Sequence, residues 1–328
     1  MNSPRQIRLT GPMGPQIKQY LALRRSIGLL LIKTEYTLDK FDQYLAVHFP
    51  KVKQVTCKMV MDYLATIRHL HPNSRCYVLS DIRQFCRFLF HLNPKTYIPQ
   101  NDLLPPRRAS VRHYIYSDTE FQNILRLTRQ LGPPESLRPH MFSTLFSLLW
   151  VSGMRISEAV NLDLGDVDLE AGVIHIRQTK FYKSRLIPLS SSSTAALLQY
   201  RNKRAQYGHS LASSAPFFVN ERGKRGCSRT IRQVFQYIIP ELEIKTAHGG
   251  RPRIHDFRHS FATRWLNEFY RSGKDPTAYL PILATYLGHA NISNSQIYLH
   301  TSLELLQIAG QQFNNYSHKS STEGTKLL

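Results

Sequence analysis

Two side chains that could do chemistry, His289 and Tyr298, stand nine residues apart near the C-terminus. A tyrosine hydroxyl is a poor nucleophile at neutral pH, because the phenol ionises near pH ~10. If Tyr298 is a nucleophile, other groups must activate it and neutralise the charge on the group that it attacks. Considered alone, Tyr298 is by default a buried structural tyrosine.

Two further motifs pair a basic side chain with a second polar group at a spacing of three residues. The segment SGMRISEAV contains Arg155 and Glu158, and the segment RIHDFRHSF contains His255 and Arg258. Residues three apart share one face of a helix. His255 and Arg258 could therefore face one anion, the first moving a proton and the second acting as a fixed cation. Taken alone, the first motif is also typical of a surface ion pair, and the second arises often by chance.

The net charge indicates the kind of partner. The 328 residues contain 43 Lys and Arg against 22 Asp and Glu, a formal charge of +21. The excess is +12 over residues 1–113 and +9 over residues 114–328, so it is not confined to a basic tail. A field of this sign attracts polyanions and gives salt-sensitive binding. Both halves are therefore expected to contact the polyanion, and a basic but ordinary enzyme surface is the alternative.

Several classes of protein are not favoured. The longest apolar run, SIGLLLI, is too short to span a membrane, and the N-terminal segment does not resemble a secretory signal. The four cysteines lack metal-finger spacing and suit a cytoplasmic protein. The sequence has neither a phosphate-binding G-x-x-x-x-G-K-[ST] loop nor the carboxylate cluster of a two-metal nuclease. We therefore expect no cofactor, no metal and no membrane partner.

The pattern of apolar residues predicts a mainly α-helical protein with a small β-hairpin. The first hundred residues predict four or five short helices, with Thr56 as one N-cap. Ser117 and Glu120 form a capping-box signature, and Gly153 ends an apolar helix. Two β-rich runs at 173–178 and 185–189 flank a basic turn, which predicts the hairpin.

Prolines divide the chain. The segment 93–114 contains four prolines and no helical period, which predicts an extended linker. The predicted organisation is a helical domain at 1–105, a linker at 106–116, a second domain at 117–315 and a disordered tail at 316–328.

The order of these motifs resembles that of the tyrosine recombinase, or phage integrase, family. The matching segments are SGMRISEAVNL, GVIHIRQTKFYKSRLIPL, HDFRHSFAT, LGHANISNSQIY and the predicted helical segment that follows them. The resemblance spans most of residues 114–313, and five separated motifs in the right order make it specific. The N-terminal helices resemble the family's core DNA-binding domain more weakly. The segment SGKDPTAYLPILATYLGH is similar to integrases carried by bacterial transposons.

The resemblance implies a role for each site residue. Tyr298 would be the nucleophile, with Arg155 and Arg258 on the non-bridging phosphate oxygens. His289 would add a hydrogen bond there and His255 would assist proton transfer. Lys180 would be the general acid for the departing 5′-oxygen, with Lys183 of the same turn as the alternative. Glu158 would orient the site.

The residue types suit that chemistry. Arginines can donate paired hydrogen bonds to phosphate oxygens, nearby cations favour a phenolate, and a lysine can protonate the leaving group. The expected function is site-specific DNA recombination by a two-domain clamp around duplex DNA, through a 3′-phosphotyrosyl intermediate and without metal or ATP. Relaxation of DNA by a type IB topoisomerase and non-catalytic DNA binding are the alternatives.

The resemblance also implies partners and a setting. These are double-stranded DNA with specific sites, a homotetramer on that DNA, accessory or partner recombinases, and the bacterial nucleoid in the cytoplasm. The segment after Tyr298 could dock on its own domain or on a neighbouring subunit. Six basic residues are further candidates for DNA contact: Arg83, Arg87, Arg107, Arg108, Arg112 and Lys183.

Overall fold

The computed structural model describes most of the chain in two compact units, residues 1–111 and 112–328. The described residues are 9–105, 113–133, 135–177, 184–244, 246, 251–288, 291, 293–296 and 298. Lys180, Lys183, His289, Arg107, Arg108 and Arg112 lie outside these ranges, as do the residues after 298 and hence the predicted tail.

The described part of the first unit is a bundle of four helices. They are α1 (Gly14–Ser26), α2 (Ile32–His48), α3 (Cys57–Thr66) and α4 (Pro72–Leu92). Thr56 caps α3 as predicted, since its side chain accepts a hydrogen bond from the Met59 amide. Apolar residues at helical spacing, such as Leu38, Phe41 and Leu45 of α2, are fully buried in the core.

The proline-rich segment that follows α4 has no helix as far as residue 105, as its prolines predict. This segment packs against the helices of the first unit and is not detached from them. The Tyr97 amide donates to the Val55 carbonyl at 2.9 Å, and Leu104 is buried in the helical core. Arg83 of α4 donates from Nε to the Pro99 carbonyl and from Nη2 to the Gln100 carbonyl. An arginine of α4 therefore fixes the start of the segment that leaves this unit.

The second unit contains eight α-helices, two short 3-10 helices (Leu164–Asp166 and Ile239–Leu242) and three strands within its described residues. The helices are α5 (Asp118–Thr128), α6 (Leu137–Ser152), α7 (Ile156–Asn161), α8 (Ser191–Gln206), α9 (Ser228–Ile238), α10 (Asp256–Arg271), α11 (Pro276–Leu287) and α12 (Ser293–Gln296). The strands are β1 (Val167–Asp168), β2 (Val173–Ile176) and β3 (Arg185–Pro188). Residues 113–116, at the end of the predicted linker, belong to this unit, because Tyr116 is buried and its amide donates to the Ser260 hydroxyl of α10 at 2.8 Å.

The predicted hairpin forms two of the three strands of a small antiparallel sheet in the order β1-β2-β3. Ile174 pairs with Ile187, and Ile176 pairs with Arg185. Both Ile174 and Ile187 are fully buried, so one face of the hairpin packs on the core. Arg185 is two residues from Ile187 and therefore points to the same, inner face.

Local signals set the boundaries of the elements that carry the site. Ser117 and Glu120 form the predicted capping box at the start of α5. Gly153 ends α6 in the left-handed region, with φ 59, and any Cβ there would lie 2.4 Å from the Phe261 ring of α10. After this sharp turn α7 starts at Ile156, three residues beyond Gly153, which brings Arg155 and Glu158 next to the end of α6.

The prediction of a mainly α-helical protein with a small sheet is confirmed. Among the described residues, no helix combines the length and apolar character needed to cross a membrane.

Candidate active site

Arg155 is the N-cap residue of α7, directly after the turn at Gly153 and Met154. Its backbone amide donates to Glu158 Oε2 at 2.9 Å, and its Nη1 donates to Glu158 Oε1 at 2.7 Å. Its Nη2 donates to the Gly288 carbonyl at 2.9 Å, and 32% of its side chain is exposed. The predicted Arg155–Glu158 pair is therefore present, and it is a half-buried pair next to the end of α11 rather than a free surface pair.

Arg258 lies in the first turn of α10 and is 2% exposed. Its Nη1 donates to the Gly153 carbonyl at 2.9 Å and its Nη2 donates to the Leu287 carbonyl at 2.6 Å. Burial and the neighbouring charge of Arg155 lower the pKa of Arg258 to about 10, which leaves the guanidinium charged at neutral pH. The two predicted phosphate-binding arginines are therefore neighbours, although their motifs are about a hundred residues apart in the sequence.

A third arginine, Arg185 of β3, completes the group. Its Nε donates to the Tyr286 carbonyl at 2.7 Å. Three consecutive carbonyls, those of residues 286, 287 and 288, thus each accept a hydrogen bond from a different arginine. The last carbonyls of a helix have no partner within the helix and carry its partial negative charge. The end of α11 can therefore bind three guanidinium groups through its carbonyls.

Glu158 balances part of this charge. Burial alone would raise its pKa, but hydrogen bonds and attraction from Arg185 and Arg155 outweigh that effect and lower it. Glu158 is thus a carboxylate at neutral pH, and its side chain is only 8% exposed. We call Arg155, Arg185, Arg258 and Glu158 the arginine cluster.

Tyr298 lies against this cluster. It is 2% exposed and packs with Leu266, Leu283 and Leu287. A guanidinium N–H of Arg258 donates to its phenol oxygen, and Arg155 is close enough to act on its charge. Burial raises the pKa of Tyr298 more than the two arginines lower it. The sequence argument that the cations favour the phenolate is therefore right in direction, but the phenol is neutral at neutral pH and must lose its proton during an attack.

Three histidines lie close together near Tyr298, and we call His113, His255 and His259 the histidine cluster. The His259 ring centroid lies 5.5 Å from that of Tyr298 and 5.1 Å from that of His255. The rings of His113 and His259 stack with centroids 3.5 Å apart. Desolvation and the charge of Arg258 lower the pKa of His255 to about 4, although the residue is exposed at the surface. Burial lowers the pKa of His259 to about 3. Both rings are neutral at pH 7 and can accept a proton.

Two members of the histidine cluster and Asp256 are groups of the metal-ligating type, since donor atoms of His113, Asp256 and His259 lie within 4.8 Å of one another. Arg253 occupies the space beside them. Its Nη2 donates to Asp256 Oδ1 at 2.9 Å and lies 3.1 Å from His113 Nδ1. A guanidinium in that position takes the place that a cation would fill, so we do not assign a metal site here.

The structure therefore brings together four of the residues predicted for the site: Arg155, Glu158, Arg258 and Tyr298. His255 lies at the start of the same helix as Arg258, and Lys180 and His289 lie outside the described residues. Of the residues predicted to contact DNA, Arg87 is exposed, and Arg83 is the half-buried residue that holds the carbonyls at 99 and 100.

Arg185 and His259 were not predicted from the sequence. The signal for Arg185 is a basic residue on the buried face of a predicted strand, two residues before Ile187. His259 gives a weaker signal, since it follows Arg258 directly and its partners come from distant segments.

This arrangement fits phosphoryl transfer. A neutral phenol lies close to fixed guanidinium groups that can bind phosphate oxygens and to neutral imidazoles that can accept a proton. Each guanidinium has five N–H donors, and the contacts described above occupy some of them.

Comparison with known proteins gives concordant results. The model of the family described as "Phage integrase family" matches residues 114–304. A protein of Sinorhizobium fredii named "Putative integrase/recombinase y4rB" is 36% identical over 299 residues, covering 89% of this chain and 94% of that protein. The tyrosine recombinase XerC of Halalkalibacterium halodurans is 27% identical, covering 84% and 88%.

Solved structures share the fold. The XerH site-specific recombinase bound to palindromic difH substrate is 21% identical, with a TM-score of 0.63 over 92% of this chain and 84% of that chain. The Tn1549 transposon integrase in complex with a circular intermediate DNA is 15% identical, with a TM-score of 0.64 over 91% and 98%.

Proposed function

The chain belongs to the phage integrase family of tyrosine recombinases, and we propose from this premise that Tyr298 is the nucleophile with which it cuts and rejoins DNA. As a member of that family it is a site-specific recombinase and an enzyme. The proposal concerns which residues do the chemistry, and how.

In the cutting step the Tyr298 oxygen attacks the scissile phosphorus. A bond forms between that oxygen and phosphorus, and the bond from phosphorus to the 5′-oxygen breaks. The DNA then carries a 3′-phosphotyrosyl ester and a free 5′-hydroxyl. Tyr298 gives up its proton to a neutral imidazole, for which His255 is the candidate, and Lys180 or Lys183 supplies the proton of the 5′-hydroxyl.

The arginines stabilise the charge that develops on phosphorus. Arg155 and Arg258 would each donate to non-bridging oxygens, and His289 would add a third donor. Because the guanidinium groups are already fixed by carbonyls, they need little reorganisation when the charge appears. The phosphotyrosyl ester conserves the energy of the cut bond, so a 5′-hydroxyl from a partner duplex can reseal the strand without ATP.

The assembly and setting follow from the reaction. Exchange between two sites requires two cut duplexes, which favours a homotetramer on double-stranded DNA with specific sites. The charge of +21 suits such a partner. The 98% coverage of the Tn1549 transposon integrase in the structural match motivates a role in the transposition of a mobile element. If the recombination sites are on the chromosome, the protein would act at the bacterial nucleoid.

The observation that carries the proposal is the hydrogen bond from Arg258 to the Tyr298 phenol, with Arg155 beside it. A suicide duplex, nicked near the site so that the cut strand is lost, traps the covalent intermediate. Since the native site is unknown, candidate duplexes come from the DNA that flanks the gene. We expect wild-type protein to form an adduct that survives denaturing electrophoresis and maps to Tyr298 by mass spectrometry. Tyr298→Phe should bind DNA normally and form none.

Tyr279→Phe provides a matched control. Tyr279 is also on the C-terminal part of the chain, but it stacks on Phe269 with ring centroids 4.1 Å apart, away from the arginine cluster. This variant should form the adduct at a rate within about twofold of wild type, because loss of a hydroxyl away from the site usually has a small effect. An undiminished adduct in Tyr298→Phe would assign the nucleophile to another residue. A wild-type protein that binds a duplex it never crosslinks would indicate a DNA-binding protein without strand cleavage.

The same adduct would form in a topoisomerase, so a second readout separates the two activities. Duplexes of different length that each carry the site should give recombinant products of exchanged length. Relaxation of supercoils by protein that never exchanges flanks would identify the topoisomerase activity.

A further inference from the structure

Arg185 makes polar contacts within the arginine cluster that the sequence does not indicate. Its Nη1 and Nη2 donate to Glu158 Oε1 and Oε2 at 3.1 and 2.7 Å, a paired contact with both carboxylate oxygens. Its Nε donates to the Tyr286 carbonyl at 2.7 Å. Its side chain is only 11% exposed, so most of its surface is in contact with protein.

Glu158 is shared between Arg185 and Arg155. Oε1 accepts from Nη1 of both arginines, and Oε2 accepts from Nη2 of Arg185 and from the backbone amide of Arg155. The position of Arg155 therefore depends on a carboxylate whose own orientation is fixed from the opposite side by Arg185. A paired arginine–carboxylate contact sets direction as well as distance.

Gly288 shows how closely Arg185 approaches the end of α11. The residue has φ +68, and a Cβ added there would lie 2.8 Å from Arg185 Nη1. The backbone at this turn is thus packed directly against the guanidinium, and the same turn leads to residue 289. One side chain contacts both the carboxylate that holds Arg155 and the turn that precedes His289.

We propose that Arg185 is a positioning residue of the active site, which acts through Glu158 to hold Arg155 in the orientation that binds the scissile phosphate. This inference rests on the proposed function, because it assigns Arg185 a part in the same phosphoryl transfer. It does not require Arg185 to contact DNA.

The charges around Glu158 make the proposal testable. Three cations face this carboxylate. They are Arg155 at the N-cap of α7, the helix that carries Glu158, Arg185 of β3 and Arg258 of α10. Attraction and hydrogen bonds from Arg185 lower the pKa of Glu158 against the opposing effect of burial. Without Arg185, Glu158 should take up a proton at higher pH, and a protonated Glu158 no longer holds Arg155 as an ion pair.

The experiment measures the rate of adduct formation on the suicide duplex at saturating protein between about pH 3.5 and pH 8, a range that includes the decline of the wild-type rate near pH 4. For Arg185→Gln we expect a rate about tenfold or more below wild type at pH 7. The rate should also fall as the solution becomes more acidic, and the midpoint of that fall should lie about one to two pH units higher than in wild type. A shift of this size is the usual effect of losing one close opposite charge. In Arg185→Gln/Glu158→Gln the shifted decline should disappear, because no carboxylate remains to titrate. Arg185→Lys keeps the charge without the paired contact and should lie between the two.

Arg225→Ala is the matched control for a purely structural loss. Arg225 holds the other end of α7, with Nη1 donating to the carbonyls of Val160 and Leu162 at 3.0 and 3.1 Å and Nη2 to the Asp163 carboxylate. Its replacement should destabilise the fold without moving the acid decline. Thermal melts of each variant at each pH confirm that the protein under test is folded.

Two results would overturn the proposal, namely an acid decline in Arg185→Gln at the wild-type pH, or an equal shift in Arg225→Ala. Failure of the proposed function itself is distinguishable, since wild-type protein would then form no adduct at any pH.

Discussion

The arginine cluster and the histidine cluster both contact Tyr298 and accommodate buried polar groups in different ways. The guanidinium groups are held by hydrogen bonds to carbonyls at the end of α11 and to the carboxylate of Glu158. His255 and His259 instead have lowered pKa values of about 4 and about 3 and carry no charge at pH 7. Burial of a charge is costly unless it is paired, whereas a histidine can avoid that cost by releasing its proton.

The difference indicates a division of labour. In the proposed reaction, the arginine cluster would provide a fixed positive charge for a phosphate whose own charge does not titrate near neutral pH. The histidine cluster would provide proton acceptors for a phenol that burial keeps protonated. Such a reaction needs one group of side chains whose charge stays constant and another whose protonation state can change.

The largest expected effect comes from removing the most buried member of the arginine cluster. Arg258→Ala leaves the carbonyls of Gly153 and Leu287 without their donors and takes the hydrogen bond from Tyr298. We expect adduct formation to fall by about a thousandfold or more, the scale of losing an oxyanion donor. The free energy of unfolding should fall by about 3 kcal/mol, because buried acceptors lose their partners. Urea denaturation and the suicide duplex measure the two effects.

Arg258→Lys sharpens this result, since a lysine keeps the charge but has no fork of donors. It should recover part of the stability and little of the cleavage. Full cleavage by Arg258→Ala would remove Arg258 from the phosphate site.

A smaller effect, on cleavage alone, is expected from the exposed member of the histidine cluster. His255→Ala should slow adduct formation by about a hundredfold, the lower range for general acid–base catalysis, with little change in stability because the residue is exposed. In wild type the rate should decline as the pH falls through about 4, since protonated His255 cannot accept a proton. The variant should lack that decline. Rates within twofold of wild type would exclude His255 as the proton acceptor.

The smallest effect concerns stability and pH. The folded pKa of His259 is about 3, below the value near ~6.5 of an unfolded chain. Between those values the unfolded state binds the extra proton, so the free energy of unfolding should decrease as the pH falls, by at most about 1.4 kcal/mol per pH unit for this group. His259→Gln should reduce that slope in urea melts at pH 7, 6 and 5. His175→Gln, at an exposed position of β2, is the control, and an unchanged slope in His259→Gln would contradict the assignment.

The elements of the site could be predicted from local signals. The capping box at Ser117 and the helix end at Gly153 depend on neighbouring backbone groups, so the residues that encode them lie within one turn. The hairpin register follows from the alternation of isoleucines. The spacing of Arg155 with Glu158 also shows in the sequence, because a helix face brings residues three apart together.

The role of Arg185 could not be predicted in the same way. Its partners are a carboxylate 27 residues away and a backbone carbonyl 101 residues away, and a carbonyl is present at every position of a chain. No pattern of side chains marks which carbonyls an arginine will find. The segment 93–105 posed a similar problem, since its prolines predict its extended form but not its packing through Tyr97 and Leu104.

The three hydrogen bonds at the end of α11 have a consequence for how the enzyme is made. The bonds to residues 286 and 288 close chain segments of 101 and 133 residues, so they are among the most non-local contacts of the molecule. Such contacts form late in folding, because the entropy of closing a long loop must be offset first. A nascent polypeptide on the ribosome cannot assemble the cluster until residue 288 has emerged, however well its earlier helices have folded. Under the proposed mechanism, a chain whose synthesis has not passed residue 288 therefore cannot cut DNA.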